Sequence, residues 1–270
     1  MIDNLLKRVL NIFKAMPMQN KASFWFVICS FLQKGISELT TSIFTRLLHS
    51  TDYGQFTVFF SWLDMCSFFV TLRFFYGVFV HDLVVIDGDK RAFASSMQGL
   101  ELTLRLALTI IYLFVRDFWN GVFGLTTVQM LCMLVSIWAL SAFRFGTDEK
   151  RNGIRYKAFV LVTISASILK LVLGTILVAN SEDKATSRIL ILILVEYIVN
   201  SWLFFIQITK GKTFPSGKIW KHSLMFAIPM IPHYLSQTVL NGADRLIIRD
   251  MIGLNEASIY GLAYSISHEQ

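Results

Sequence analysis

The feature that most constrains this chain is the spacing of its apolar residues, which fall in blocks of about twenty separated by short polar connections. A helix rises about 1.5 Å per residue, so a block of that length crosses a hydrocarbon core of about 30 Å. No water is available there to satisfy the backbone, and a helix satisfies its own. The blocks lie near residues 22–45, 55–73, 93–115, 126–143, 158–179, 189–208 and 222–243, and an eighth begins near Ala257. Only 16% of the residues are charged, where a soluble domain carries about 25%. These observations predict an all-α fold, a polytopic transmembrane helical bundle.

Ahead of the first block, residues 1–21 place Ile2, Leu5, Leu6, Val9 and Leu10 at helical spacing with Lys7, Arg8 and Lys14 between them. That pattern predicts a helix lying in the cytoplasmic interface and closed by Pro17. The aromatic residues are expected to be mostly lipid-facing or interfacial.

Orientation follows from the basic residues of the connections. Fifteen Lys and Arg fall on the side of the N-terminal tail and six on the other, which puts the N-terminus in the cytoplasm. The net charge of +7 is therefore a topology signal, and nucleic acid is not expected as a partner. Cys29, Cys66 and Cys132 are widely spaced, each inside an apolar block, and the five histidines form no ligand motif. Neither a disulfide framework, nor a metal, nor a cofactor is expected.

A shift of 204 residues aligns Leu48–Ser61 with Ile252–Ser265, placing Asp52 on Glu256, Phe56 on Tyr260, Phe60 on Tyr264 and Ser61 on Ser265. Six spans separate the matched segments, so both enter the membrane in the same direction. That arrangement is a parallel repeat, related by an axis along the membrane normal. It predicts a six-helix lobe over 22–210, after the interfacial helix of 1–21, and the first one to two helices of a second repeat over 211–270. The second copy covers about a third of its expected length, so the chain reads as a truncated form of a longer protein.

Three stretches carry a family resemblance: Leu32-Gln-Lys-Gly-Ile36, Phe44-Thr-Arg-Leu-Leu48 running into Asp52-Tyr-Gly54, and Asn241-Gly-Ala-Asp-Arg-Leu-Ile-Ile248 running into Ile259-Tyr-Gly-Leu-Ala-Tyr-Ser265. They resemble the Wzx-type O-antigen flippases, in the polysaccharide-exporter branch of the multidrug/oligosaccharidyl-lipid/polysaccharide flippase superfamily. The resemblance implies two six-helix lobes around a central cavity, and a non-enzymatic transporter of the bacterial cytoplasmic membrane. Its cargo would be undecaprenyl-diphosphate-linked oligosaccharide for O-antigen, capsule or exopolysaccharide. Its partners would be that lipid-linked oligosaccharide, membrane lipids, and a polysaccharide polymerase or chain-length regulator.

Ionisable groups within apolar spans are costly and mark function by default. Lys34, Arg105 and Lys170 each lie about thirteen residues from the cytoplasmic end of a span, roughly 20 Å deep. Three cations at one depth could ring a diphosphate; equally, Lys34–Glu38 and Glu101–Arg105 are spaced to neutralise one another on a helix face. Glu38 and Asp64 are candidates for a coupling ion or proton, while Asp64, Lys170 and Glu196 could instead pair between helices. Arg73, at a helix end, is placed to snorkel to the interface. Pro229 and Pro232 predict a kink in the seventh span, and a hinge if the span moves. Asp244-Arg245 reads as an ion pair at the end of that span.

Three other functions compete. A drug or cation antiporter of the same superfamily would favour an acidic cavity. A membrane-embedded glycan-assembly enzyme would need a large external loop rich in His, Arg and acids, whereas the outer connections here are short. A truncated remnant would not transport at all.

Overall fold

The computed structural model describes residues 17–74, 90–151, 156–213 and 215–268. Among these the chain is all-helical. In order, the helices are α1 (Met18–Leu47), α2 (Ser50–Thr71), α3 (Lys90–Phe114), α4 (Arg116–Phe123), α5 (Thr127–Arg151), α6 (Tyr156–Ala179), α7 (Lys184–Gly211), α8 (Gly217–Met251) and α9 (Leu254–His268). Most of the stretch expected as an interfacial helix over 1–21 lies outside the described residues. Its last residues, from Met18, already belong to α1, which starts directly after Pro17.

Three helical segments are long and apolar enough to cross a membrane, Ala92–Phe114, Val160–Ala179 and Lys184–Ile206. The pair formed by Arg116–Phe123 and Thr127–Leu140, bent by 87°, makes a fourth if counted as one broken span. Length and composition thus class the chain with helical membrane proteins. Helices α1, α2 and α8 are as long, but polar residues such as Lys34, Glu38, Asp64 and Asp244 interrupt their apolar runs.

Boundaries respond to local chemistry. The Asp183 carboxylate accepts from the Thr186 backbone N–H and caps α7, and Ser216 does the same for α8 through Ile219. Each satisfies one of the donors that a helix start leaves open. Gly124 closes α4 with a left-handed φ of 62°, a conformation glycine adopts without steric cost. Helix α8 runs unbroken through Pro229 and Pro232.

Helices α2, α3, α5 and α7 pack together around one core, in which Phe59, Leu63, Tyr112, Met133, Ile137 and Ile189 are buried. Helix α6 packs on α7, and α1 on α6. Helices α8 and α9 both pack on α2. The aromatic residues are not confined to lipid-facing or interfacial positions, because Phe44, Phe59, Phe68 and Phe74 are among the largest fully buried side chains. Planar rings fill the layers between helices with large area at small entropy cost.

Small residues bring α9 against α2. Ser50 and Ser258 share a hydrogen bond of 2.6 Å. Gly54 lies against the Leu254 carbonyl, and Gly261 against the Thr57 side chain, so closely that a Cβ at either glycine would overlap its neighbour. In the register of the 204-residue shift, Ser50 corresponds to Leu254, Gly54 to Ser258 and Thr57 to Gly261. The contact of Ser50 with Ser258 is then the counterpart of that between Gly54 and Leu254. The contact of Thr57 with Gly261 is its own counterpart.

Both ends of α8 are tied to the bundle. Near its start, the Trp220 indole donates to the Ser96 carbonyl at 2.9 Å, and Ser223 meets the Met97 sulfur at 3.0 Å. Near its end, Arg249 Nη1 donates to the Phe123 carbonyl at 2.5 Å.

Candidate functional site

The polar residues of α2, α8 and α9 converge on a cleft of about 250 Å³, lined by Phe60, Ser61, Asp64, Asn241, Gly242, Arg245 and Tyr264. Asn241 and Arg245 are four residues apart, so they share one face of α8. Tyr260 and Tyr264 share a face of α9 in the same way.

Asp64 supplies the carboxylate. The chain turns back at Leu72 and Arg73, both at positive φ, and Arg73 Nη2 reaches Asp64 Oδ1 at 3.1 Å. The same nitrogen donates to Thr238 Oγ1 of α8 at 3.2 Å. Arg73 therefore does not extend away as a snorkelling side chain; it folds back and links two helices. Across the cleft, the Arg245 guanidinium lies 4.2 Å from the Tyr264 ring centroid, and its Nε is buried without a hydrogen-bond partner. Asp244 accepts from the Tyr260 hydroxyl at 2.7 Å. Asp244 and Arg245 sit well inside α8, and each engages a tyrosine of α9 instead of forming the expected helix-end ion pair.

This arrangement presents one carboxylate and one guanidinium to a shared space. Asp64, with 43% of its side chain exposed, can accept a proton or a cation. Arg245 keeps donors suited to phosphate or carboxylate oxygens. Among the described residues no group of His, Cys, Asp and Glu could hold a metal ion.

The other candidates are dispersed. Lys34 is exposed on α1 and Glu38 is half-buried one turn later. Lys170 Nζ lies 2.6 Å from Glu196 Oε1, joining α6 to α7, which is the inter-helix pairing the sequence allows. Arg105 faces a crevice of about 10 Å³ lined by Gln98, Glu101, Trp138 and Phe204, room for about one water. Its guanidinium lies 5.9 Å from the Trp138 ring centroid. The three cations thus occupy three different surroundings. Cys29 and Cys132 are buried and Cys66 is half-buried, all as free thiols.

Arg188, one of the six basic residues on the side opposite the N-terminal tail, is 5% exposed. Its guanidinium carbon lies 3.6 Å from the Phe56 ring centroid and 4.3 Å from that of Phe44. Only the pairing of distant helices reveals that cage. Asn241 and Arg245 belong to the Asn241–Ile248 stretch, and their four-residue spacing, which puts them on one helix face, is the sequence signal that they line a site.

No family model matches the chain, and no curated protein or solved structure matches it. At the level of class, the described residues are all-helical, with three helices long and apolar enough to cross a membrane and a charged cleft between α2, α8 and α9.

Proposed function

We propose that the chain is a flippase-type transporter of the bacterial cytoplasmic membrane, with its N-terminus in the cytoplasm. Its cargo is undecaprenyl-diphosphate-linked oligosaccharide destined for surface polysaccharide. The observation that carries this reading is the position of the polar cleft. Asp64 and Arg245 face one space at the seam where α2 meets α8 and α9, beside the contact of the two segments matched by the 204-residue shift, 48–61 on α2 and 252–265 on α9. Charges in a membrane fold are held at such cost that they mark pathways, and transporter sites form at the interface between structural repeats. The reciprocal contacts of α2 with α9 support treating 48–61 and 252–265 as copies. Stretches resembling Wzx-type flippases contribute both faces of that seam.

In this reading Arg245 meets an anionic group of the cargo, and Asp64 exchanges a proton or cation when Arg73, which bridges it to Thr238, lets it go. Pro229 and Pro232 lie in α8, the helix that moves against α2. The test is complementation of a bacterial strain lacking its oligosaccharide flippase. Expression of this chain is expected to restore surface polysaccharide, and Asp64→Ala or Arg245→Ala to abolish rescue at equal protein level. Failure of the unmodified chain to rescue strains with several different repeat units would remove the reading.

A further inference from the structure

A second cleft, of about 450 Å³, lies between α2, α3, α4 and α5, on side chains other than those of the polar site. Its walls are apolar, with Met65 and Phe69 from α2, Ile111 from α3, Val122 from α4, and Met133 and Ile137 from α5. Met133 and Ile137 are 1% exposed and form its floor, whereas Phe69, Ile111 and Val122 are 55%, 50% and 43% exposed and form its rim. The Tyr112 hydroxyl in the wall is already donated to Asn120 at 3.0 Å. The indole nitrogens of Trp62 and Trp119 are covered by surrounding atoms.

Such a space has few ways to be filled. Water does not occupy a cavity without polar partners, and a void forfeits the dispersion contacts of its walls. The rim is continuous with exposed apolar side chains of α3, including Ile110, Leu113 and Phe114. In a bilayer that face meets lipid hydrocarbon, so the cleft opens onto the medium that can fill it. Helix α4 meets α5 at 87° and closes one side with Trp119 and Phe123, as a short amphipathic helix at the membrane interface would.

We propose that this cleft is a binding site for a single hydrocarbon chain of a membrane lipid, held between α2 and α5 beneath α4. The cleft is many times the ~10–15 Å³ that one water needs, enough to take part of one acyl chain. The site is independent of transport: it requires only that the helices span a bilayer as packed.

The experiment uses the full chain reconstituted in vesicles of phosphatidylethanolamine and phosphatidylglycerol. A trace of phosphatidylglycerol carries a diazirine midway along one acyl chain. After irradiation, adducts are mapped by mass spectrometry. Adducts on cleft residues such as Met65 and Met133 are expected to exceed those on the exposed face of α6, at Leu161 and Val172, by at least fivefold. Met133→Trp fills the floor and is expected to remove that excess while leaving α6 labelling unchanged. If it fails to fold, Met65→Trp, nearer the rim, serves the same purpose. Equal labelling of both faces overturns the proposal, as does an excess that survives a folded tryptophan variant, or no labelling of the cleft because another polypeptide covers it.

Discussion

Arg188 is the residue whose surroundings make the sharpest demand. It is 5% exposed, and among the described residues its Nε and Nη1 have no hydrogen-bond partner. What holds it is the stack of Phe44, Tyr53 and Phe56 rings. A planar, weakly hydrated guanidinium tolerates such a cage, and a compact ammonium does not. Arg188→Lys is therefore expected to destabilise the detergent-solubilised protein by about 2 kcal/mol. Arg188→Met, which leaves no charge to desolvate, should stay within about 1 kcal/mol of the parent. A larger loss for methionine than for lysine would mean that the positive charge itself is required. Lys170 and Glu196 make the opposite case, since each is paired and about a quarter exposed. Lys170→Leu alone is expected to cost about 1–3 kcal/mol by stranding the carboxylate. Adding Glu196→Leu should recover most of that, as equilibrium unfolding of the two variants would show.

At the scale of elements, the contact of α2 with α9 rests on glycines, and the two are not equivalent. A Cβ at Gly54 meets the Leu254 backbone, whereas one at Gly261 meets the Thr57 side chain. Backbone cannot yield as a side chain can, so Gly54→Ala should cost about 2–3 kcal/mol and Gly261→Ala less. Disulfide trapping between Ser50→Cys and Ser258→Cys should fall sharply in Gly54→Ala, and unchanged trapping would refute the packing. Helix existence was legible in the sequence, because apolar blocks at 93–115 and 158–179 became α3 and α6 with small changes at the ends. Ends were less legible: hydropathy stops at the first polar residues, whereas helical hydrogen bonding carries α7 out to Lys184 and α8 back to Gly217. Helix α4 falls between the apolar blocks at 93–115 and 126–143, and at eight residues it is too short for hydropathy to mark as a span. Asp64 was legible as a charge inside an apolar block. That Arg73 turns back to it depends on two left-handed residues after α2, for which the sequence offers no glycine as a sign.

For the whole molecule, the bundle and α8 are held together at both ends, by Trp220 on Ser96 and by Arg249 on Phe123. Gly124 is central to the second tie: its φ is 62°, and a Cβ there would come within 2.7 Å of Arg249 Nη1. Gly124→Ala is expected to cost about 1–2 kcal/mol from the left-handed backbone, and more through displacement of Arg249. Combined with Arg249→Ala, the losses should be less than additive, because both remove the same tie. In the proposed transport, release of one of these ties is what would let α8 move against α2. The most direct test of the account is therefore translocation itself. The purified chain is placed in vesicles carrying a fluorescent undecaprenyl-diphosphate-linked oligosaccharide, and an externally added glycosidase reports how much of it becomes accessible. Accessibility is expected to rise beyond the outer-leaflet share only in vesicles holding the protein, and Asp64→Ala and Arg245→Ala each to return it to that share. Accessibility that stays at the protein-free level with folded, reconstituted chain would contradict it.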